Sequence, residues 1–386
     1  MPAAFTQPCA TRWLARVSAL LVALSVTGCS LWNSSANKPV PADLGANVPV
    51  LGVRQVWTAS LGSGAHELLE ASVNGSVVTL ASSEGIIAAI DARTGGDVWR
   101  TSVGDALSAG VGSDGRLAVV VTRSNTLVAI ESGRERWRES LSAQVFTPPL
   151  VAGGRVFVLG ADRSVHAFDA SSGKKLWSTA RTGESLVLKQ SGVILAVGDT
   201  LLAGFGGRMQ GVNPDNGSIR WEASIASARG ANDVERLIEL VGRTSRVGDS
   251  VCARAFQAGV GCISAQRGAT VWSQPASGAV GVHGDAEAVF GAESNGSLVA
   301  WSRGNGTRLW SSDRLKHRKL TAPLLLGRSV VVGDQTGLLH FVSRTDGAPL
   351  NRLALGSAPI VNAPVVAADT LVVQSGNGTV FGFRPE

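Results

Sequence analysis

From residue 53 onward, short apolar runs alternate with glycine-bearing polar turns, and the alternation has a unit. A glycine turn leads into an apolar run that ends near an acid; a second glycine turn follows, and then a tryptophan. One complete copy holds Gly85, the run 86–90, Asp91, Gly95 and Trp99, and another holds the run 164–168, Asp169, Gly173 and Trp177. Degenerate copies end at Trp137, Trp221, Trp272 and Trp310, a further one has Asn351 where the tryptophan belongs, and Trp57 stands ahead of the first copy. The intervals between these eight positions are 42, 38, 40, 44, 51, 38 and 41 residues. Self-similarity at a period of about 40 to 45 residues, with room for four short strands in each unit, is the signature of propeller blades.

Between tryptophans an earlier strand, turn and strand can be read, most clearly over 149–160, 323–333 and 364–373. Apolar runs this short, bounded by Gly, Pro and Asp, read as strands. The chain ends on a strand over 380–384 with no tryptophan strand after it, and its repeats begin on a tryptophan strand, 53–61, with no three strands before it. The two fragments complete one blade. The prediction is an all-β chain whose residues 51–386 form an eight-bladed β-propeller of four-stranded blades, closed by pairing the N- and C-terminal strands. Closure removes the open edges that invite aggregation. The repeat tryptophans are expected to pack between neighbouring blades, and Trp301, the extra one in the propeller, on an apolar face.

Ahead of the repeats, Arg12 and Arg16 precede an apolar run over 17–26. That is too short for the roughly 20 residues a membrane-crossing helix needs and reads as the core of a secretory signal, 1–28. Its ending, Val26-Thr27-Gly28-Cys29, resembles a bacterial lipobox, which implies that Cys29 is acylated and becomes the first residue of the mature chain. Several acyl chains anchor a protein stably where one does not. Ser30, where an aspartate would favour retention in the inner membrane, points to the outer one. Residues 29–50, rich in Asn, Ser and Pro, are expected to be a lipidated flexible tether.

Charge and chemistry narrow the function. The net charge of +6 falls to +4 once Arg12 and Arg16 leave, which gives no footprint for nucleic acid and supports only a mild attraction to anionic surfaces. His66, His166, His283, His317 and His340 fall in different repeats without metal-ligand spacing, and the nucleophile-elbow, P-loop and CxxC motifs are absent. No catalytic residue, metal site or cofactor is therefore expected, and the chain reads as a non-enzyme. Cys9 leaves with the signal, and Cys252 and Cys262 share one hairpin over 251–264. A turn centred on Gln257 sets them opposite each other, at a spacing that fits either a disulfide or two buried thiols.

The aspartate, glycine and tryptophan phrase resembles the repeats of quinoprotein alcohol dehydrogenase-like propellers. Together with the lipobox, the tether and the eightfold count, it resembles the BamB family of outer-membrane assembly lipoproteins over 29–386. The resemblance implies an outer-membrane, periplasm-facing scaffold with no cofactor. Its partners would be BamA, the other subunits of the β-barrel assembly complex and nascent outer-membrane proteins. Two stretches sharpen it. Residues 183–190 resemble a BamA-contacting segment, which would make Leu186 and Leu188 apolar anchors and Lys189 their polar partner, although the family usually carries arginine there. Residues 232–240, in the longest interval, resemble an inter-blade loop of the form acid-Arg-Leu followed by Asp-Val-Asp. That implies partner-binding roles for Arg236 and Glu239, with Glu239-Leu240-Val241 in place of the acidic triplet. The rival readings are a quinone-dependent oxidoreductase of similar fold, which would carry adjacent cysteines and a calcium site that are missing here, and a binder of cell-wall sugars. The latter suits poorly a chain with 5% aromatic residues and no tyrosine.

Overall fold

The computed structural model describes residues 1, 3–4, 39–66, 69–179, 187–227 and 237–386. Its contact-dense body runs from Pro41 to Glu386. The residues described ahead of it carry no strand or helix.

The strands form eight antiparallel four-stranded sheets in sequence order, one per blade, as the repeat spacing predicts. Blades 1 to 7 occupy 72–102, 112–140, 150–179, 194–224, 240–275, 282–312 and 324–354. Blade 8 joins the three C-terminal strands to the N-terminal one, Val53–Ser60, which pairs with Thr379–Pro385 from Val53 opposite Pro385 to Ser60 opposite Thr379. In each sheet the second and third strands are buried on both faces, for example Leu117–Val121 and Thr126–Glu131. Their side chains form clusters shared by adjacent blades, such as Val119 and Ala129 with Val156 and Phe168.

The tryptophan and the turn glycine of the repeat meet across the blade boundary. A Cβ built on Gly95 would lie 2.6 Å from the ring of Trp57 of the preceding blade, and one on Gly173 would lie 2.7 Å from Trp137. Gly133, Gly217, Gly268, Gly306 and Gly347 stand in the same way against Trp99, Trp177, Trp221, Trp272 and Trp310. All seven turns have positive φ, which glycine adopts without steric cost. The indole Nε1 of Trp57, Trp137, Trp177, Trp272 and Trp310 donates to the carbonyl of Ala92, Ala170, Pro214, Arg303 and Arg344, in each case in the next blade's turn. Within its own sheet each ring lies opposite a small residue: Ala89, Ala129, Ala167, Gly211, Cys262, Ala300 or Gly382.

Asn351 breaks this pattern for a physical reason. Blade 7 faces blade 8, whose fourth strand is the N-terminal Val53–Ser60, so no turn links its third and fourth strands and no turn glycine lies there for a ring to cover. Residues 41–52 lie there instead. Asn351 Nδ2 donates to the Leu51 carbonyl (2.8 Å), and Asn351 Oδ1 accepts from Asn47 (3.2 Å). Opposite Asn351 stands Phe341, 1% exposed, where the other blades have a small residue. Ala42 N donates to Lys316 O, Val50 N to Leu350 O, and Arg318, Arg328 and Arg352 donate to the carbonyls of Ala42, Val50 and Gly45. The stretch expected to be a free tether up to residue 50 is thus bound to the propeller from Pro41 onward.

Candidate functional site

Three of the histidines are held by side-chain contacts within the fold. His166 lies between the hydroxyls of Ser164 (2.8 Å) and Ser178 (2.9 Å), and burial lowers its pKa. His340 contacts Asp334 (2.9 Å), a fully buried carboxylate that also receives Arg318, Thr336 and the Leu338 amide. Burial alone would raise the Asp334 pKa, but the hydrogen bonds from His340, Thr336 and Leu338 hold it at about 2. His283 Nδ1 accepts the Leu325 amide (3.0 Å), tying the inner strand of blade 6 to that of blade 7. Among the described residues no group of three His, Cys, Asp or Glu side chains has metal-binding geometry. Trp301, 4% exposed, packs among Cys252, Val260, Val289 and Val299 as the apolar reading expects, and the Arg254 guanidinium lies 5.7 Å from its ring centroid.

The propeller axis is crossed by two polar side chains. Arg243, on blade 5, donates to the Pro364 carbonyl of blade 8 (2.8 Å). Glu70, entering blade 1, is held by Ser191, entering blade 4; burial raises its pKa against the lowering effects of the Ser191 hydroxyl and of Arg243. Around them is a cavity of about 600 Å³ whose walls include Val241, Val280, Leu320, Ile360 and Asn362.

The two stretches singled out from sequence converge where their described residues can be followed. Leu188 and Glu239 line one small recess, about 50 Å³, between blades 3, 4 and 5, together with Arg163, Gln190, Phe205 and Val241. Leu188 is half-buried and Lys189 exposed. Leu186, Arg236 and Cys29 lie outside the described residues. Glu239 is mostly covered and has both carboxylate oxygens engaged, one by Arg163 (2.8 Å) and the other by the Gly206 amide (2.9 Å). Its backbone carbonyl accepts from Phe256 N (2.9 Å). Glu239 therefore pins the inter-blade loop to blades 3, 4 and 5. Arg163, 76 positions earlier, could not be paired with it from sequence, because ring closure and not local spacing brings them together. Cys252 and Cys262 are directly opposed in register, with Gln257 at the centre of their turn and Cα atoms 3.9 Å apart.

One group of residues escaped the sequence reading, which weighed only the net charge. Arg314, Lys316, Arg318 and Lys319 place four cations within six residues in the loop between blades 6 and 7. Their close spacing was the available signal.

Comparison with known proteins places this geometry. The family described as outer membrane protein assembly factor BamB matches residues 83–312. The outer membrane protein assembly factor BamB of Burkholderia pseudomallei is 38% identical over 377 residues, covering 97% of this chain and 98% of that protein. The one from Bordetella pertussis is 34% identical over 364 residues, covering 94% of each. Among solved structures, BamB from Moraxella catarrhalis superposes with a TM-score of 0.79 at 25% identity, over 86% of this chain and 99% of that one. A quinohemoprotein alcohol dehydrogenase from Comamonas testosteroni reaches 0.65 at 14% identity, over 87% of this chain and 78% of that one, and shares the fold alone. Near-complete coverage at these identities, on a ring of eight four-stranded blades, makes this chain a member of the BamB family of outer membrane protein assembly factors.

Proposed function

We propose that the chain is a non-catalytic scaffold, anchored through lipid on Cys29 and facing the periplasm, that holds BamA and so assists the folding and insertion of outer-membrane β-barrel proteins. The observation that carries this reading is the meeting of the two family-like stretches, distant in sequence, at one recess between blades 3, 4 and 5. A half-buried Leu188 beside an exposed Lys189 is the pairing of apolar anchor and polar rim that protein interfaces use. Leu186 and Arg236 extend the same two stretches. Glu239 acts indirectly, since its carboxylate is already engaged by Arg163 and Gly206. Ring closure pairs the terminal strands but leaves the outer edge of each blade's fourth strand unpaired; for nascent outer-membrane proteins these edges, with exposed apolar residues such as Val98, Leu176 and Leu309, suit edge-strand addition.

Leu186→Ser combined with Leu188→Ser should weaken co-purification with BamA about five- to thirtyfold, the loss expected on removing apolar anchors worth about 1–2 kcal/mol together. The melting temperature should stay the same, because Leu188 lies outside the blade strands. Unchanged co-purification would remove the site assignment.

We also infer that Cys252 and Cys262 form a disulfide in the oxidising periplasm. Thiol counting on the unreduced, denatured mature protein should then find neither of them free. Two reactive thiols would reject the bridge.

A further inference from the structure

We propose that the loop 313–319 is a docking surface for anionic phospholipid headgroups, which sets the propeller at a fixed orientation on its membrane. The inference rests on the lipid anchor at Cys29 proposed above and adds to it a second contact and a direction.

The first support is where the chain enters the propeller. Ala42 N donates to Lys316 O (2.9 Å), and Arg318 donates back to the Ala42 carbonyl (2.7 Å), so the N-terminal segment joins the body at this loop. Twelve residues separate Cys29 from Pro41. Such a segment can span no more than about 40 Å fully extended, and roughly 20 Å as a coil. A loop held that close to an anchor meets the headgroups at high effective concentration, so a weak contact suffices.

The second support is charge. The nearby acids are engaged: Asp313 with Lys316 (2.6 Å), Asp334 with Arg318 and His340, Asp43 with the Gly45 amide, and Asp346, whose charge acts on Arg314, with Ser343 and the Ala348 amide. Arg314 and Lys319 remain exposed on either side, and Lys316 keeps 39% of its side chain in solvent. Cations next to a bilayer surface are drawn to anionic headgroups, and the attraction fades within a Debye length.

The third support is rigidity. His317 and Lys319 both hold left-handed backbone conformations, with φ of 61° and 52°. His317 N donates to Asn295 O (2.7 Å), and the loop presses on Gly296, where a Cβ would lie 2.4 Å from the Leu315 carbonyl. The cations thus project from a fixed platform. Because strands alternate in direction, every loop from one blade to the next lies at the same end of the ring. Residues 187–193 and 237–239 belong to that end, so docking through 313–319 turns the recess toward the bilayer.

The test uses the lipidated full-length protein on vesicles of phosphatidylcholine alone and on vesicles of phosphatidylcholine mixed with phosphatidylglycerol. Flotation reports the anchor, and hydrogen exchange in peptides covering 313–319 reports the contact, with the turn at 153–154 on the opposite end as control. Exchange in the loop should slow at least about fivefold on the anionic vesicles only. Salt of about 0.5 M should restore it, and Arg314→Glu with Lys319→Glu should abolish the slowing. Flotation with both vesicle types but equal exchange on each, or slowing that survives charge reversal, overturns the headgroup contact and leaves the anchor standing. Flotation with neither counts against the anchor and the orientation built on it.

Discussion

Replacing Trp137 by alanine should destabilise the protein by about 3–5 kcal/mol, read as a fall in the urea midpoint at unchanged slope. The ring is 9% exposed and covers Gly173 of the next blade, and its Nε1 donates to the Ala170 carbonyl at 2.9 Å. Removing it opens a cavity at a blade boundary and leaves a carbonyl without its donor. The informative companion is Asn351→Trp, which restores the repeat consensus. It should destabilise too, because Phe341 fills the space opposite and Leu51 and Asn47 occupy the place of the missing turn. Overpacking and two lost hydrogen bonds together cost about 2–4 kcal/mol. A stabilised Asn351→Trp protein would contradict the closure account.

Acid should weaken the fold well above the carboxylate range. Burial lowers the His283 pKa to about 3, with Arg243 and Arg303 adding to the effect. Its unfolded value is near the ordinary histidine value of 6.5. A group whose pKa is depressed by folding contributes its stability above the unfolded value and loses it as pH falls toward the folded one. The window here is therefore about pH 6.5 down to 3, and at pH 5 the loss is about 2 kcal/mol. Asp334, held at about 2 against an ordinary aspartate value of 3.8, adds a second loss that begins only below about pH 4. His283→Gln, which keeps an acceptor for the Leu325 amide, should remove most of the loss between pH 7 and 5, leaving the share of His166, whose pKa burial also lowers, and the lower step. A variant as acid-sensitive as the parent in that upper interval would show that His283 is not the group that carries it.

The ring could be read from the chain because its determinants are local and repeated. Each tryptophan needs a turn glycine in the next unit and a small residue opposite it, and each unit supplies that glycine at a constant place, four residues before its own tryptophan position. Even the exception at Asn351 marked the closure point, although only the structure shows that Phe341 compensates for the absent ring. The site was less accessible. Leu188 and Glu239 could be singled out one at a time by family likeness, but their meeting at one recess depends on ring geometry. So does the pairing of Glu239 with Arg163, which makes this acid a support for the loop. The docking of residues 41–52 was hidden by their composition, since Asn, Gly and Pro suit a tether and equally suit an extended segment bonded through its backbone. The cluster at Arg314 to Lys319 was hidden by a net charge that averages it away.

The most direct test of the scaffold reading is a mild-detergent pull-down of the tagged full-length protein from its own envelope, with mass spectrometry of the recovered proteins, run beside the Leu186→Ser, Leu188→Ser variant. The account predicts that BamA comes down with the parent protein and is depleted with the variant. Recovery of no envelope partner, or of a quinone or sugar ligand in place of BamA, would contradict it.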